Sequence, residues 1–505
     1  MGINSVIEST PPIKALFNMG CLMDIPNCSG SYRYGKYGEA ILNGGLAHFE
    51  GVGGRPNTHK STFMHFRSLR LIDRYPTTEG SNLDTEYSQT PGRFNLLRKH
   101  HPRLEALSFD FEDEDQQILT ITDGRKYRGD DYWEEVKNYA KTKMNDKTAI
   151  MTLPFVTAKG RHFKGLKVDV MAIDSLSRMG TKSLDKIIDN NDVGSNSMQT
   201  FGARDSGVKA QMLIQISDYA LRTGLVCQLT AHVDDEVNLE MFPTSTKKLA
   251  FLKNGLKFKY VSNQFAFLPN NLWYVYSATP YNNATSKYSE YPRDKDDTNS
   301  TDLMRMFIQN LRGKFGSSGA PTELIVSQRE GILPTLSEFH HCRKTKSKPT
   351  EAGFGLVGNN TTAALALKPD VKFTRNTIRT KYVEHPELVR GFEITSEVCQ
   401  LKELWHHLPL EYKMITMEEI YAKLVDLGYD VDFLLGKTRG FWTHVESESM
   451  FGPFLSTWDV LRIVTDKYYP YWYDKAIKEH KLAPIKNRKV AIEALKLECP
   501  WVTWC

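Results

Sequence analysis

The stretch that decides the fold is LAHFEGVGGRPNTHKSTFMHF, from Leu46 to Phe66. A short apolar run (Leu46, Ala47, Phe49, Val52) ends in Gly51, Gly53 and Gly54, and a polar loop from Arg55 to His59 leads to Lys60-Ser61-Thr62 at the head of an amphipathic pattern. That order reads as strand, loop, helix. From Gly54 the spacing is G-x-x-x-x-H-K-S, the phosphate-loop signature with His59 where a second glycine is usual. The loop Gly54, Arg55, Pro56, Asn57, Thr58, His59 and the helix start Lys60, Ser61, Thr62 would turn backbone N–H groups towards phosphates. Lys60 would reach the β/γ oxygens and the Ser61 hydroxyl would hold Mg²⁺, so ATP and Mg²⁺ are the expected ligands.

Working outward, Asn82 to Glu86 (NLDTE) reads as the end of a second strand, and open parallel sheets gather ligands outside the carboxyl ends of their strands. Glu86 is the expected residue for polarising an attacking water, with Asp84 as the fallback. Leu166 to Asp174 (LKVDVMAID) is near-continuously apolar, as a buried parallel strand is, and ends in Asp174, a second Mg²⁺-shell candidate beside Ser61. Gly224 to Thr230 reads as a further buried strand ended by Ala231-His232, and Asn271 to Tyr281 and Glu323 to Val326 as later ones. Val208 to Thr223 has helical period, and Arg312 and Lys314 stand two residues apart in a glycine loop. The expected fold class is therefore α/β, a mostly parallel twisted sheet flanked by helices.

Several stretches lie outside that pattern. Residues 1–30 read as an N-terminal arm. Residues 31–395 form the ATPase core, with 95–160 as an insertion carrying the acidic run Asp110 to Asp115, a β-like passage Ile118–Ile121 and a helix around Trp133–Lys143. Residues 396–505 read as a small, mostly helical C-terminal domain with a dense aromatic stretch, Tyr468 to Tyr473. Ser175 to Gly207 is polar and Gly/Asn/Asp-rich, a loop by composition. The segment after His232 interleaves Phe242, Lys247, Lys248, Phe251 and Lys253, which suits stacked bases and phosphates of a single strand. His340, His341 and Cys342 cluster without a second ligand pair at metal spacing, so zinc is not expected.

The 505 residues carry a net charge of +5, permissive for a polyanionic partner without requiring one. Seven cysteines without C-x-x-C spacing indicate neither a disulfide framework nor a zinc module, and point to a reducing compartment. No apolar run approaches the roughly 18 residues that span a bilayer, and Val6 stands where an acylation signal wants Ser or Thr. A protein of a reducing compartment with no bilayer-spanning segment is the expectation.

Taken in order, these parts resemble the RecA-like recombinases, and most nearly the phage UvsX type, over about residues 30 to 345. The resemblance rests on GRPNTHKS (Gly54–Ser61), DTE (Asp84–Glu86) followed by Thr90-Pro91, VDVMAIDSL (Val168–Leu176), LTAH (Leu229–His232) and RGKFG continuing into REGILPTLSEF (Arg329–Phe339). It implies that Glu86 activates water, that Asp174 orders the metal shell and that His232 senses the γ-phosphate. It further implies that Arg312 and Lys314 reach into a neighbouring subunit's ATP site, and that the loops after Asp174 and His232 hold DNA. Arg93 or Phe94 falls where an aromatic commonly stacks on adenine. The implied activity is a DNA-dependent ATPase that assembles on single-stranded DNA as a helical filament, or a ring, and pairs it with homologous double-stranded DNA. Single-strand-binding and mediator proteins are implied partners, and a phage origin implies the bacterial host cytoplasm. A hexameric replicative helicase of the DnaB type resembles the same motor, but no primase-binding helical domain precedes it here. A nucleotide-binding regulator or clamp loader is a third class.

Overall fold

The computed structural model describes residues 15–106, 118–190, 201–235, 249–294, 296–346 and 348–503. Its centre is a ten-stranded sheet. In chain order the strands are β1 (Phe49–Gly54), β2 (Gly80–Asp84), β3 (Leu119–Asp123), β4 (Asp169–Asp174), β5 (Leu225–Asp235), β6 (Leu256–Phe258), β7 (Asn271–Pro280), β8 (Leu303–Gly313), β9 (Pro321–Ser327) and β10 (Gly331–Ile332). Across the sheet they run β10-β9-β8-β7-β1-β5-β4-β2-β3, with β6 added to β5. From β7 to β3 every neighbour is parallel, and β8, β9 and β10 turn back antiparallel. The fold class is the expected one, a mostly parallel sheet flanked by helices.

Helix α1 (Lys60–Arg74) covers one face and α2 (Gly129–Asn145) with α4 (Phe201–Thr223) the other; α3 (Lys182–Asp189) leads into α4. The strands between are apolar on both faces because both are covered. Val52, Val170, Val226 and Trp273 pack with Phe63 and Phe66 of α1, whereas Phe49, Met171, Ile173 and Leu229 pack with Trp133 of α2 and Leu213 and Ile216 of α4.

Three expectations are corrected. The stretch taken as an insertion at 95–160 supplies β3, the edge strand paired with β2, and α2, which packs on α4; the acidic run lies outside the described residues. Leu166 to Asp174 is two pieces: Asp169–Asp174 joins the sheet, while His162–Leu166 pairs antiparallel with Ile150–Val156 in a separate hairpin. Within the loop expected from Ser175 to Gly207, α3 and the first turns of α4 are helical, and residues 191–200 lie outside the described residues.

Residues 15–23 of the expected arm are buried, with Phe17, Met19 and Leu22 in the same cluster as Phe63 and Phe66. The helical region begins at Ile378, ahead of Cys399, which sits inside an 18-residue helix, Glu387–Leu404. That helix is buried on much of its surface, so no apolar stripe betrays it. Tyr468, Tyr469 and Tyr473 are fully buried and share one cluster with Leu303, Ile325 and Phe339, so the C-terminal helices pack on the end of the sheet.

Under the phosphate-loop strand lies a buried charge. Glu50 of β1, with no exposed surface, accepts from Arg67 of α1 at 2.9 Å, from Asn271 and Trp273 of β7 at 2.6 and 3.1 Å, and from the Ala47 amide at 2.8 Å. Burial pushes its carboxyl up to about 7 against the pull of Arg67, and burial lowers Arg67 to about 10 against the pull of Glu50. Desolvation thus outweighs attraction for both partners, so the pair fixes geometry more than it adds stability. Removing one partner is different. Arg67→Met is expected to cost about 3–5 kcal/mol in denaturant melts, because an unpaired buried carboxyl remains. The loss should be larger at pH 8 than at pH 5: the folded chain must then hold Glu50 protonated while the unfolded chain, with its carboxyl near 4.5, releases the proton. A pH-independent loss under about 1 kcal/mol would contradict this role.

Candidate nucleotide site

The register of the parallel strands assembles the site. Gly54 stands opposite His232, and Asp84 opposite Asp174, so the carboxyl ends of β1, β5, β4 and β2 form one edge. After Gly54 the chain curls tightly: a Cβ there would meet Thr58 Oγ1 at 2.8 Å and the Val275 carbonyl at 3.2 Å. Thr58 Oγ1 donates to the Arg55 carbonyl at 2.8 Å, and Arg55 itself pairs with exposed Asp235 at 2.7 Å. Pro56 and Asn57 are exposed. Asn57 and His59 adopt left-handed backbone, φ 61° and 65°, which costs a non-glycine residue roughly 1–2 kcal/mol and is why glycine is usual at the position of His59.

α1 starts at Lys60 with no side chain capping its N-terminus and no acidic residue in its first turn. Its leading N–H groups and dipole therefore favour an anion, which fits the phosphates of ATP. For Mg²⁺ the donor set is hard oxygen: the half-buried Ser61 hydroxyl and the carboxylate of Asp174, itself fully buried. Thr230 donates to Asp174 Oδ1 at 2.5 Å and Gln89 to Oδ2 at 3.5 Å, which orients the carboxylate.

Three groups converge on Glu86. His232 Nε2 lies 2.6 Å from Oε1, Ser175 Oγ donates to Oε1 at 2.7 Å, and Lys60 Nζ sits 3.4 Å from both oxygens. Burial raises the Glu86 carboxyl, but the bonds from His232 and Ser175 and the charge of Lys60 outweigh it and hold the group at about 2. So ionised a carboxylate is a weak proton acceptor and a good orienting group, which suits phosphoryl transfer, where positioning matters more than base strength. Asp84 does other work. Its oxygens accept from the Glu86 and Gln89 amides at 3.0 and 2.8 Å, so it shapes the turn that presents Glu86.

Lys60, Glu86, Asp174 and His232 are therefore brought together, joined by Ser175, Thr230 and Gln89. The sequence marked Ser175 as polar at the sheet edge and Thr230 as a strand end; nothing marked Gln89. Arg93 is tied to the chain around Gln328: its Nη1 donates to the Gln328 and Arg329 carbonyls at 2.7 and 2.8 Å, and its charge, after burial, lowers His59. Arg312 and Lys314 stay apart from their own chain's phosphate loop. Arg312 pairs with Leu272, which pairs with Gly51, level with the middle of β1. Its guanidinium caps the Phe267 carbonyl, and Lys314 Nζ donates to the Leu268 carbonyl at 3.0 Å. Phe242, Lys247 and Lys248 lie outside the described residues.

No family model matches the chain, and no curated protein does. Among solved structures, the crystal structure of the RadB recombinase is similar at 14% identity and a TM-score of 0.30, over 57% of this chain and 92% of that one. A likeness that weak carries no weight here, and the reading rests on the strand order and the side-chain geometry. No helix among the described residues is long and apolar enough to cross a membrane.

Glu86→Gln is expected to keep nucleotide binding while lowering ATP turnover by about 10²–10⁴-fold. A variant that turns over near the wild-type rate would remove Glu86 from the chemistry. The charge of Glu86 persists across the neutral range, and its contribution to stability, present above about 4.5, is lost only as pH falls towards about 2.

Proposed function

We propose that the protein is an ATP-dependent DNA recombinase of the RecA-like type, nearest to the phage UvsX kind. It would assemble on single-stranded DNA, pair it with a homologous duplex and act in the bacterial host cytoplasm. The observation that carries the reading is the 2.6 Å contact between Glu86 and His232. His232 lies on β5, which runs on to Asp235 and into the segment whose Phe251 and Lys253 belong to the aromatic and basic pattern. A change at the γ-phosphate that moves Glu86 is thus one hydrogen bond from a strand that enters the segment expected to hold DNA. Coupling of this kind makes fuel consumption depend on polynucleotide.

When bound, ATP with Mg²⁺ supplies the transferable phosphoryl group. The chain's own residues would do the rest: the loop and Lys60 bind, Ser61 and Asp174 hold the metal, and Glu86 aligns water. Arg312 and Lys314, distant from this chain's own loop, fit the role of cations supplied to a neighbour, where they would neutralise developing charge only in the assembled state.

The test is subunit mixing. Arg312→Ala and Glu86→Gln chains are each expected to be inactive alone, and mixing them should restore part of the DNA-stimulated ATPase, because some interfaces then join an intact Glu86 to an intact Arg312. No recovery at any ratio would contradict action across an interface. Closed rings without strand exchange in the same preparations would turn the reading to a helicase.

A further inference from the structure

The His340-His341-Cys342 cluster of the sequence is split by the fold. His340 turns into the core, where Nδ1 meets Tyr291 Oη at 3.1 Å and Nε2 meets Glu323 at 3.2 Å. His341 turns the other way. It lies on α5 (Pro334–Lys344), which packs along α6 (Glu387–Leu404). On α6, Cys399 and Glu403 are four residues apart and share one face. One ligand atom from each of His341, Cys399 and Glu403 falls within 4.8 Å of the others, the one such set of potential metal ligands among the described residues.

We propose that His341, Cys399 and Glu403 form a zinc site that ties α5 to α6, with a water as fourth ligand. The donor set suits a borderline-soft divalent ion: one imidazole, one thiolate, one carboxylate. The spacing suits it too. His341 Nε2 and Glu403 Oε2 stand 3.5 Å apart and are not hydrogen-bonded to each other. That distance is close to the separation of about 3.4 Å between two tetrahedral ligands each about 2.1 Å from a metal. His341 Nε2 is buried and makes no hydrogen bond. The Cys399 thiol is buried and faces Glu403 and Thr345. Thr345 Oγ1 donates to Glu403 Oε1 at 3.3 Å, leaving Oε2 towards the histidine, the orienting contact that metal-bound carboxylates use. Glu403 is 41% exposed, which gives the ion an entry path and leaves room for the water. Binding would send the Cys399 thiol proton to solvent and bring the three atoms closer together.

The site stands apart from the nucleotide chemistry, so its test is independent of ATP. The full chain is stripped with a chelator, loaded with Co²⁺ and read by absorption, then titrated with Zn²⁺. A thiolate-to-cobalt charge-transfer band in the near ultraviolet, displaced by zinc, is expected, together with a thermal midpoint that rises with zinc concentration. Cys399→Ala should abolish the band. Because that variant opens a hole between two buried helices, Glu403→Gln, isosteric and at the surface, is the second arm. It should keep the fold by circular dichroism and weaken zinc binding by more than about 10-fold, the lesser loss that even an outer-shell partner gives. No band in the wild-type protein, a band that survives Cys399→Ala, or unchanged zinc affinity in Glu403→Gln would each overturn the assignment.

Discussion

Everything at the candidate site depends on the register of four parallel strands. A strand has a side-chain period of two, so a slip of one residue between β1 and β5 would turn His232 from the site to the opposite face and take the imidazole contact away from Glu86. The same slip between β4 and β2 would part Asp174 from Asp84. Register is held because both faces are filled with large apolar side chains, and any slip would expose the whole set to the wrong helices.

Two buried ion pairs, one on each face, fix which helix lies where. On one face Glu50 of β1 takes Arg67 from α1; on the other Asp169 at the start of β4 takes Lys143 from α2 at 2.5 Å. A buried charge has few acceptable partners, so each pair sets a helix's rotation and height more sharply than apolar contacts do. Above the first pair, α1 presents Lys60 and an uncapped N-terminus beside Gly54. The strained backbone at His59 is carried by this same frame, since an isolated loop would relax away from left-handed φ.

Much of this was legible in the sequence, for physical reasons. Strands buried on both faces must be apolar throughout, so β1, β4, β5 and β7 stood out, and glycines marked where backbone has to pass closely. Asp174 and His232 were legible as polar residues that end such runs. What could not be read was partnership. LTITD in β3 alternates as any edge strand does, and nothing in it names β2 as its neighbour. Asp84 and Glu86 are equivalent as letters, and only the hydrogen bonds of the turn separate the residue that shapes the loop from the one that faces Lys60. The trio of His341, Cys399 and Glu403 was hidden for the same reason: its members lie on two helices whose packing follows from the fold of the intervening chain.

The central claim is that a nucleoside triphosphate is gripped by the loop from Gly54 to Ser61 with Lys60 on its terminal phosphates. Equilibrium binding of a fluorescent, non-hydrolysable ATP analogue, with and without Mg²⁺, tests it most directly. The account predicts Mg²⁺-dependent binding by the wild-type chain that Lys60→Ala weakens by at least about 100-fold, as loss of a charge-assisted contact worth roughly 3 kcal/mol requires. Equal affinity in the two proteins, or no binding by the wild type, would contradict it.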